Sequence, residues 1–440
     1  MKKRMIAMML CMVLVLSAFV GCSKKENKSE TLKPTETPTT EETDDTATEE
    51  VDPATVTGNL VYWSYTDSAN NLVKAFNKVY PNVKIDLQIF GGDEYKTKIL
   101  TALQSGTNVP DIFDLEENYA YEFLDSDLIE DLSFMGIEEL TKDYYDFQIA
   151  GMKDSTGKFK GMSFQSSPVC FWYLRDAAKQ WLGTSDADEI AAMLQSWDDV
   201  IAKGQEVYEK SNGEVSLWPN ITEMVKVDAF SFDPMVRDGK FSMTEDWTNL
   251  IANMRKVYDA DCNAELNSWS SEWAAAWNEG KLLFRVMPSW DFFTDWDAND
   301  GNVGVVAPFK ASYEGVTLTS IYSKSENKDA AALFFKYVLS DDFQKINMEQ
   351  YNQVPASKKV ADELAEGFSA EKFGGQNLLK TYSEICAKIV GITPDKYTRS
   401  VQNLFQKHAG NGIKEGKDDA TIIKEFKAEL KDMYPEIQMD

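Results

Sequence analysis

Histidine is almost absent from this chain, since His408 is the only one among 440 residues. A serine or cysteine nucleophile activated by histidine is therefore not expected, and neither is a zinc site with several imidazoles. The phosphate-binding patterns GxxxxGK[ST] and GxGxxG are missing as well. His408 stands in a polar stretch, and we interpret it as a solvated helix end. The composition thus indicates no catalytic residue, no metal site and no cofactor.

Positive charge is also scarce, with 45 Lys and Arg against 72 Asp and Glu and a formal net charge of -27. Such an excess of negative charge argues against nucleic acid and anionic lipid surfaces as ligands. A preference for neutral or cationic ligands would fit the charge. Solubility of an exposed, secreted protein explains the same charge more simply.

The N-terminus has the pattern of a secretion signal, in which Lys2, Lys3 and Arg4 precede an apolar run that ends at Cys22. The run is shorter than the roughly 20 residues of a membrane-spanning helix, and the small residue before Cys22 suits cleavage. The sequence FVGC resembles the bacterial lipobox, whose cysteine receives a diacylglycerol. We predict a signal peptide at residues 1–21 and a lipid anchor on Cys22, at the extracellular face of the bacterial cell membrane. The alternative is a soluble secreted protein that is cut nearby.

Residues 22–57 are predicted to be the lipid anchor followed by a disordered acidic linker. The stretch is made of Thr, Glu, Asp, Pro and Lys and has too few apolar residues to offset the entropy of ordering it. As a flexible coil it would span roughly 30 to 35 Å. Three cysteines remain beyond it, and we interpret Cys170, Cys262 and Cys386 as buried free thiols, with one disulfide pair left open.

The chain after the linker begins with alternating strand and helix patterns. Their order is strand, helix, strand, helix, strand, which predicts a parallel sheet with crossover helices. Ligands bind beyond the carboxyl ends of such strands, so Trp63 to Asp67 and Glu116 to Tyr119 are expected at the mouth of a crevice. The five predicted segments are a strand at 59–63, a helix from Leu72 to Val79, a strand at 83–89, a helix at 95–105 and a strand at 111–115.

Several segments, in the same order, resemble the family 1 extracellular solute-binding proteins of ABC importers. The opening is carried by LVYWSYTDSANNLVKAFNKVYPNVKIDL and ALQSGTNVPDIF, and the later segments are GKFKGMSFQSSPVCFWYLRDAAKQWLG, SWDDVIAKG, WNEGKLLFRVMPSWDFF, SKSENKDAAALFFKYVLSDDFQ and QVPASKK. The resemblance covers most of residues 58–360. No single segment is diagnostic, and the order of all of them carries the assignment.

The resemblance implies an α/β, two-lobed, type II periplasmic-binding-protein-like fold with a hinge between the lobes. Lobe one is expected at 56–164 plus 305–340, and lobe two at 165–304 plus 341–440. The implied function is to bind a small molecule, most simply a carbohydrate, between the lobes and to deliver it to the transmembrane permease subunits of an ABC importer. A monomer without enzymatic activity is expected.

Ligand contacts are predicted from strand ends and from the resemblance. Trp63, Asp67, Glu117 and Asn118 follow from their places near the ends of the first and third strands. Similarity to maltose-type binding proteins implies a sugar-stacking role for Trp290, because aromatic rings stack on sugar faces while carboxylates and amides bind hydroxyls. The remaining candidates are Gln165, Trp218, Tyr351 and Asn352.

Ten of the eleven tryptophans lie between Trp172 and Trp296. Trp269, Trp273 and Trp277 recur every four residues, and we interpret them as a core stripe on one helix face rather than as ligand contacts. The acidic cluster at Asp295, Asp297 and Asn299 superficially resembles a calcium loop, but we interpret it as an acidic surface turn.

Three alternative functions remain open. The first is a binding protein for a non-sugar solute such as a polyamine, a peptide or a metal complex. The second is a surface glycosidase that uses two of the 72 acidic residues. The third is an adhesin or a purely structural lipoprotein.

Overall fold

A computed structural model describes residues 55–290 and 301–439 of the chain. The predicted signal peptide, Cys22 and most of the predicted linker lie outside the described residues, as do Asp295, Asp297 and Asn299. Among the described residues, no helix is both long enough and apolar enough to cross a membrane.

The first sheet confirms the predicted succession of strands and helices. Its four strands lie in the order β2-β1-β3-β9, with β1 parallel to β2 and β3, and β9 antiparallel to β3. Helix α1 begins after Ser68 and ends before Pro81, and it buries Leu72 and Phe76. The elements are β1 Gly58–Ser64, α1 Ala69–Val79, β2 Val83–Ile89, α2 Gly92–Ser105, β3 Ile112–Glu116 and β9 Thr317–Ile321.

The second sheet has three antiparallel strands in the order β7-β4-β8, and helices surround it. Every residue of β4 is buried, which explains its unbroken apolar sequence VCFWYL. The strands are β4 Val169–Leu174, β7 Phe284–Pro288 and β8 Val303–Val306, with a short hairpin of β5 Val236–Arg237 and β6 Lys240–Phe241. The helices of this region are α6 Arg175–Leu182, α7 Ala187–Met193, α8 Trp197–Lys210, α9 Glu223–Asp228, α10 Glu245–Asp259 and α11 Ser271–Asn278.

The remaining helices precede β4 or follow β9. Helix α3 starts directly at the end of β3, and α12 packs its apolar face on the first sheet, where Phe334 meets Tyr62 edge to face at 5.8 Å. These helices are α3 Glu117–Leu124, α4 Ile137–Leu140, α5 Asp146–Gly151, α12 Lys328–Leu339, α13 Asp341–Tyr351, α14 Lys358–Ala365, α15 Leu378–Cys386, α16 Thr398–Lys414 and α17 Asp419–Met433.

Extended crossover segments connect the two sheets. Residues 162–169 run antiparallel to 312–319, with hydrogen bonds from Met162 N to Thr319 O at 2.9 Å and from Glu314 N to Ser167 O at 3.0 Å. A third segment joins them where Ser166 N donates to Val354 O at 2.8 Å. A hinge is expected where a few extended residues connect two packed sheets. The exact lobe boundaries stay a prediction.

A buried carboxylate lies inside the first sheet. Asp114 on β3 accepts hydrogen bonds from the hydroxyls of Tyr62 at 2.9 Å, Ser64 at 2.6 Å and Thr319 at 2.6 Å. Burial raises the pKa of Asp114 to about 6, although the three hydroxyls favour the ionised form. This group is satisfied by three neutral donors from the two neighbouring strands, β1 and β9.

Candidate functional site

The carboxyl end of the first sheet carries two of the predicted ligand contacts at the surface. Asp67 follows β1 and its side chain is exposed. Asn118 follows β3, is also exposed, and donates from Nδ2 to Glu116 Oε1 at 2.8 Å. Between them, the Tyr65 hydroxyl bonds the Thr317 hydroxyl at 2.6 Å and ties the end of β1 to the start of β9. The predicted crevice mouth is therefore lined by hydroxyl, amide and carboxylate groups.

Glu117 is buried, with only 1% of its surface exposed, and its carboxylate is already used by the protein. Oε2 accepts from Gly315 N at 2.9 Å, and Oε1 forms an ion pair with Arg399 of α16. The Arg399 guanidinium also lies over the Phe230 ring, 4.1 Å from its centroid. Burial lowers the pKa of Arg399, and the contacting carboxylate favours its charged form. Glu117 therefore holds the backbone at Gly315 and the Arg399 side chain in place from the protein interior, and neither of its carboxylate oxygens is free to bind a ligand.

Trp290, by contrast, is partly exposed next to this ion pair. Its Nε1 donates to Glu314 O at 3.1 Å, which fixes the indole against the 314–315 turn. Gly315 has φ +76°, and a Cβ there would lie 2.7 Å from Trp290 Nε1. Glycine is therefore required at 315 both for the backbone conformation and for the close approach of the indole.

Trp269 lies beside Trp290 and exposes 55% of its surface. The two rings are parallel to within 5°, with centroids 5.8 Å apart. Trp269 was predicted to belong to a core stripe, and that prediction is wrong because α11 begins only at Ser271. The same prediction is confirmed for Trp273 and Trp277, which are buried and lie 3.5 and 4.6 Å from the Arg285 guanidinium.

Charged side chains support the two indoles. Lys226 of α9 lies between Glu223 at 3.2 Å and Glu314 at 3.4 Å, and the Ser268 hydroxyl donates to Glu223 at 2.6 Å. Burial alone would lower the pKa of Lys226, but the two carboxylates raise it above its ordinary value. Burial raises the pKa of Glu314, and Lys226 opposes that effect.

These contacts form one connected group, which we call the junction network because it gathers residues that follow the first sheet and residues around the second. It contains aromatic faces that reach the surface, carboxylates, and an ammonium and a guanidinium that hold the carboxylates in place. Its members are Glu117, Glu223, Lys226, Ser268, Trp269, Trp290, Glu314, Gly315 and Arg399.

Trp63 lies elsewhere on the first sheet. It is inside β1 rather than just past it, and it is only 6% exposed. Its ring meets Phe90 edge to face at 5.1 Å, and Lys98 Nζ lies 5.4 Å from its centroid. Trp63 and Lys98 border a groove of about 1050 Å³ between α2 and the first sheet. No described contact connects Trp63 to the junction network.

Trp218 lies in the core. Its exposure is 0%, its Nε1 donates to Asn220 O at 3.0 Å, and its ring meets Phe171 and Trp197 edge to face. A ligand has no access to this ring in the described conformation. We therefore assign Trp218 a packing role in place of the predicted ligand contact.

The other three candidates lie along the crossover region. Gln165 is buried, and its backbone carbonyl accepts from Gln148 Nε2 at 3.0 Å. Tyr351 is the last residue of α13, and Asn352 ends that helix with φ +50° and an N–H bond to Met348 O at 2.8 Å. Among the described residues these three make no hydrogen bond or ion pair with the junction network, and their ligand roles stay predictions.

Two predictions concern residues outside the junction network, namely the single histidine and the three cysteines. His408 was predicted to be a solvated helix end, but it lies inside α16 with Nε2 2.8 Å from Glu429 Oε2 and its ring near Phe426. That prediction is wrong. Cys170, Cys262 and Cys386 are buried and free, as expected. Within residues 55–290 and 301–439, no cluster of three His, Cys, Asp or Glu could hold a metal ion.

Sequence reasoning missed Arg399, Lys226, Glu314 and Trp269. The first three carry no local pattern that separates them from other surface charges. Trp269 did carry one, because Ser270 is a typical N-cap residue and indeed accepts from Trp273 N at 3.2 Å. A helix that starts after Ser270 leaves Trp269 outside the stripe.

Comparison with known proteins gives a consistent result. The profile of a family described as bacterial extracellular solute-binding protein matches residues 71–373. The arabinooligosaccharide-binding protein of Halalkalibacterium halodurans is 21% identical over 389 residues, which cover 80% of this chain and 84% of that protein.

Solved structures resemble the chain over most of its length. One is the galacto-N-biose/lacto-N-biose I-binding protein of the ABC transporter of Bifidobacterium longum, with TM-score 0.69, 16% identity, and 87% of this chain and 98% of that one covered. Another is the sugar-binding protein MalE of Xanthomonas citri, with TM-score 0.72, 14% identity, and 85% and 96% covered. These similarities confirm the expected two-lobed α/β fold.

Proposed function

This chain belongs to the bacterial extracellular solute-binding proteins, and from that premise we propose that it binds a sugar or oligosaccharide and delivers it to the permease of an ABC importer. The junction network is the observation that carries this proposal. Aromatic faces stack on the C–H faces of sugars, and carboxylates and amides accept or donate to sugar hydroxyls. The relatives named above, which bind arabino-oligosaccharides and other sugars, support the same substrate class.

Trp290 is the central ligand contact in this proposal, because its ring is partly exposed and its N–H is already satisfied by Glu314 O. Asp67 and Asn118 supply polar contacts from the end of the first sheet. Glu117 and Arg399 act indirectly, since they hold the 314–316 turn on which Trp290 rests. No covalent step is required, and the protein releases its guest unchanged.

Ligand capture depends on the hinge. A ligand that contacts both lobes binds the closed form better than the open form and therefore shifts the population toward closure. The closed form then presents the surface that the permease recognises. The lobes are joined at 162–169 and 312–319, where few residues need to change conformation.

A ligand screen tests the substrate class. The purified protein is heated with arabino-oligosaccharides, malto-oligosaccharides, lacto-N-biose, polyamines and amino acids, because a bound ligand raises Tm by mass action. Ligand at 100 times its Kd adds about 2.7 kcal/mol to the free energy of unfolding. We expect a rise with at least one sugar series. A rise with a polyamine or an amino acid and with no sugar would contradict the proposal.

The anchor is a separate part of the proposal. A diacylglycerol on Cys22 and a flexible linker after it keep the binding protein at the extracellular face of the membrane, near the permease. Two acyl chains anchor a protein far better than one, since each buried methylene contributes about 0.8 kcal/mol. Mass spectrometry of the mature N-terminus should find acylated Cys22, and Cys22→Ala should release the protein into the medium. An unmodified N-terminus further along the chain would rule the anchor out.

A further inference from the structure

The groove beside Trp63 lies along α2, and no described contact connects it to the junction network. Buried and partly buried apolar residues form its floor, namely Val61 and Trp63 of β1 together with Ala102 and Val109. Its volume of about 1050 Å³ is large enough for a small-molecule ligand. The proposed function makes no use of this groove.

Trp63 brings an unused hydrogen-bond donor to the groove. Its Nε1 is enclosed and has no partner among the described residues. Trp218 and Trp247 are buried as well, but each donates to a backbone carbonyl at 3.0 Å. A buried donor without an acceptor is unfavourable, so an oxygen that reaches Trp63 Nε1 from the groove gains a bond that the protein itself does not supply.

The Lys98 side chain covers this aromatic surface. Its Nζ lies 5.4 Å from the centroid of Trp63 and 4.3 Å from that of Phe90. Lys98 is exposed, and it forms no ion pair within the part of the chain that the structure describes. Because an exposed lysine changes rotamer at little cost, a ligand can displace it and then accept hydrogen bonds from both Nζ and Nε1.

Hydrogen-bond acceptors line the same groove. The hydroxyl proton of Thr101 is already donated to Thr97 O at 2.7 Å, so the Thr101 oxygen remains as an acceptor. Glu94 lies one turn before Lys98 and balances its charge. Thr97, Thr101 and Ser105 recur every four residues of α2, so their hydroxyls form a row with about 6 Å between neighbours.

Donors and acceptors together limit the chemistry of a ligand. A carboxylate or a phosphate only accepts hydrogen bonds, and it would lie beside Glu94. An ammonium group only donates, so it cannot satisfy Trp63 Nε1. A hydroxyl group does both and carries no charge, which fits a groove whose own charges are balanced. The ligand class that matches is therefore a neutral, hydroxyl-rich molecule with apolar C–H surface for the floor.

We propose that this groove is a second saccharide-binding site, separate from the junction network. Sugar hydroxyls accept from Trp63 Nε1 and Lys98 Nζ and donate to Thr101 and Glu94, while C–H groups lie on the apolar floor. The proposed function requires only one ligand site, so this inference goes beyond it. The two sites should fill independently, because no described contact links them.

NMR of the indole N–H groups tests the proposal on the ¹⁵N-labelled protein. The probes are maltotetraose and arabinotetraose, with citrate and spermine as charged controls. Trp63→Phe removes one indole signal and so assigns it, and Lys98→Ala, an exposed change, should move the same signal because Lys98 lies over the ring. Thr101→Trp fills the groove from an exposed position, and Lys74→Trp, exposed on α1, is the matched control. Melting temperatures establish that each variant is folded.

We expect at least one saccharide to move the Trp63 indole proton downfield in a saturable way. The Kd from this signal should change less than about twofold in Trp290→Ala and Lys74→Trp, and it should rise at least about tenfold in Thr101→Trp. Loss of the movement in Trp290→Ala would overturn the proposal, and so would movement with citrate or spermine alone. A saccharide that moves the Trp290 signal and leaves Trp63 unchanged would overturn the second site while supporting the proposed function.

Discussion

The interior of the molecule and the junction network contain the same residue types in opposite situations. Inside, Trp218 and Asp114 are fully enclosed and their polar atoms bond neighbouring groups of the same sheet or loop. At the junction, Trp290 keeps part of its ring exposed, and Glu117 is held by Arg399 from a helix far along the chain. Residue type alone therefore does not separate packing from binding. The difference lies in which segments supply the partners and in whether an aromatic face remains uncovered.

The largest effect is expected in the interior, for Trp218→Ala. Removing a fully buried indole should lower the free energy of unfolding by about 3–5 kcal/mol, because the cavity cannot collapse completely. Urea unfolding measures this loss, and Trp181→Ala, whose indole is half-buried, should lose less. Sugar affinity of the folded variant should stay at the wild-type value. A stable variant with weakened binding would move Trp218 into the ligand site.

Arg399→Ala is the corresponding test at the junction. It leaves the Glu117 carboxylate buried without its cation, which should cost about 3 kcal/mol of unfolding free energy. Lys358→Ala is the control, because its ion pair with Asp362 lies at the surface and is expected to contribute far less.

A double-mutant cycle that combines Arg399→Ala with Glu117→Gln measures the interaction energy between the two side chains, apart from the other contacts that each of them makes. Since the two side chains are in direct contact, the coupling energy should exceed about 1 kcal/mol. Additive losses would show that the two side chains stabilise the protein independently. Because Glu117 also holds Gly315, sugar affinity should fall in Glu117→Gln together with stability.

Burial of Asp114 makes the free energy of unfolding depend on pH. Its pKa in the folded protein, about 6, lies above the ordinary value for aspartate, so the folded state binds the proton more tightly than the unfolded state. Its contribution to stability is therefore complete below about pH 4 and is lost as pH rises to about 6, a change of about 3 kcal/mol.

Asp114→Asn should remove this dependence, so the wild type loses stability relative to the variant as pH rises from about 4 to 7. Urea unfolding across that range measures the difference. In Ser64→Ala the loss of stability should occur at a higher pH than in the wild type. One hydrogen bond that favours the ionised carboxylate of Asp114 is lost, so the pKa of Asp114 rises further. A pH-independent difference between wild type and Asp114→Asn would show that Asp114 is not the group responsible.

The strands and helices of the first sheet could be predicted because short stretches of neighbouring residues determine each of them. The strands predicted at 59–63, 83–89 and 111–115 match β1, β2 and β3 to within one residue at each end, and the predicted helix end at Val79 is the end of α1. Each of these signals depends on a few neighbouring residues and on burial of one face. The position of the crevice mouth, which is inferred from the order of the strands, stays a prediction.

The junction network was not predictable in the same way. Arg399 and Glu117 are 282 residues apart, and the sequence around either residue contains no pattern that predicts their contact. Glu117 and Trp290 were both predicted as ligand contacts; only the fold shows that Glu117 instead holds the turn on which Trp290 rests, and the ligand role of Trp290 stays a prediction. Trp269 and Trp218 were assigned to the wrong environments, because spacing along the chain does not report which ring is enclosed.

Trp290→Ala gives the smallest change in free energy and the sharpest test of the comparison. Since the ring is partly exposed and its N–H partner, Glu314 O, can bond water instead, the loss of unfolding free energy should be well below that of Trp218→Ala. Sugar affinity should fall about tenfold, which corresponds to about 1.4 kcal/mol. Calorimetry with the best sugar from the screen measures this, with Trp181→Ala as the control. Unchanged affinity would remove Trp290 from the site, and the junction would then resemble the interior in function as well as in composition.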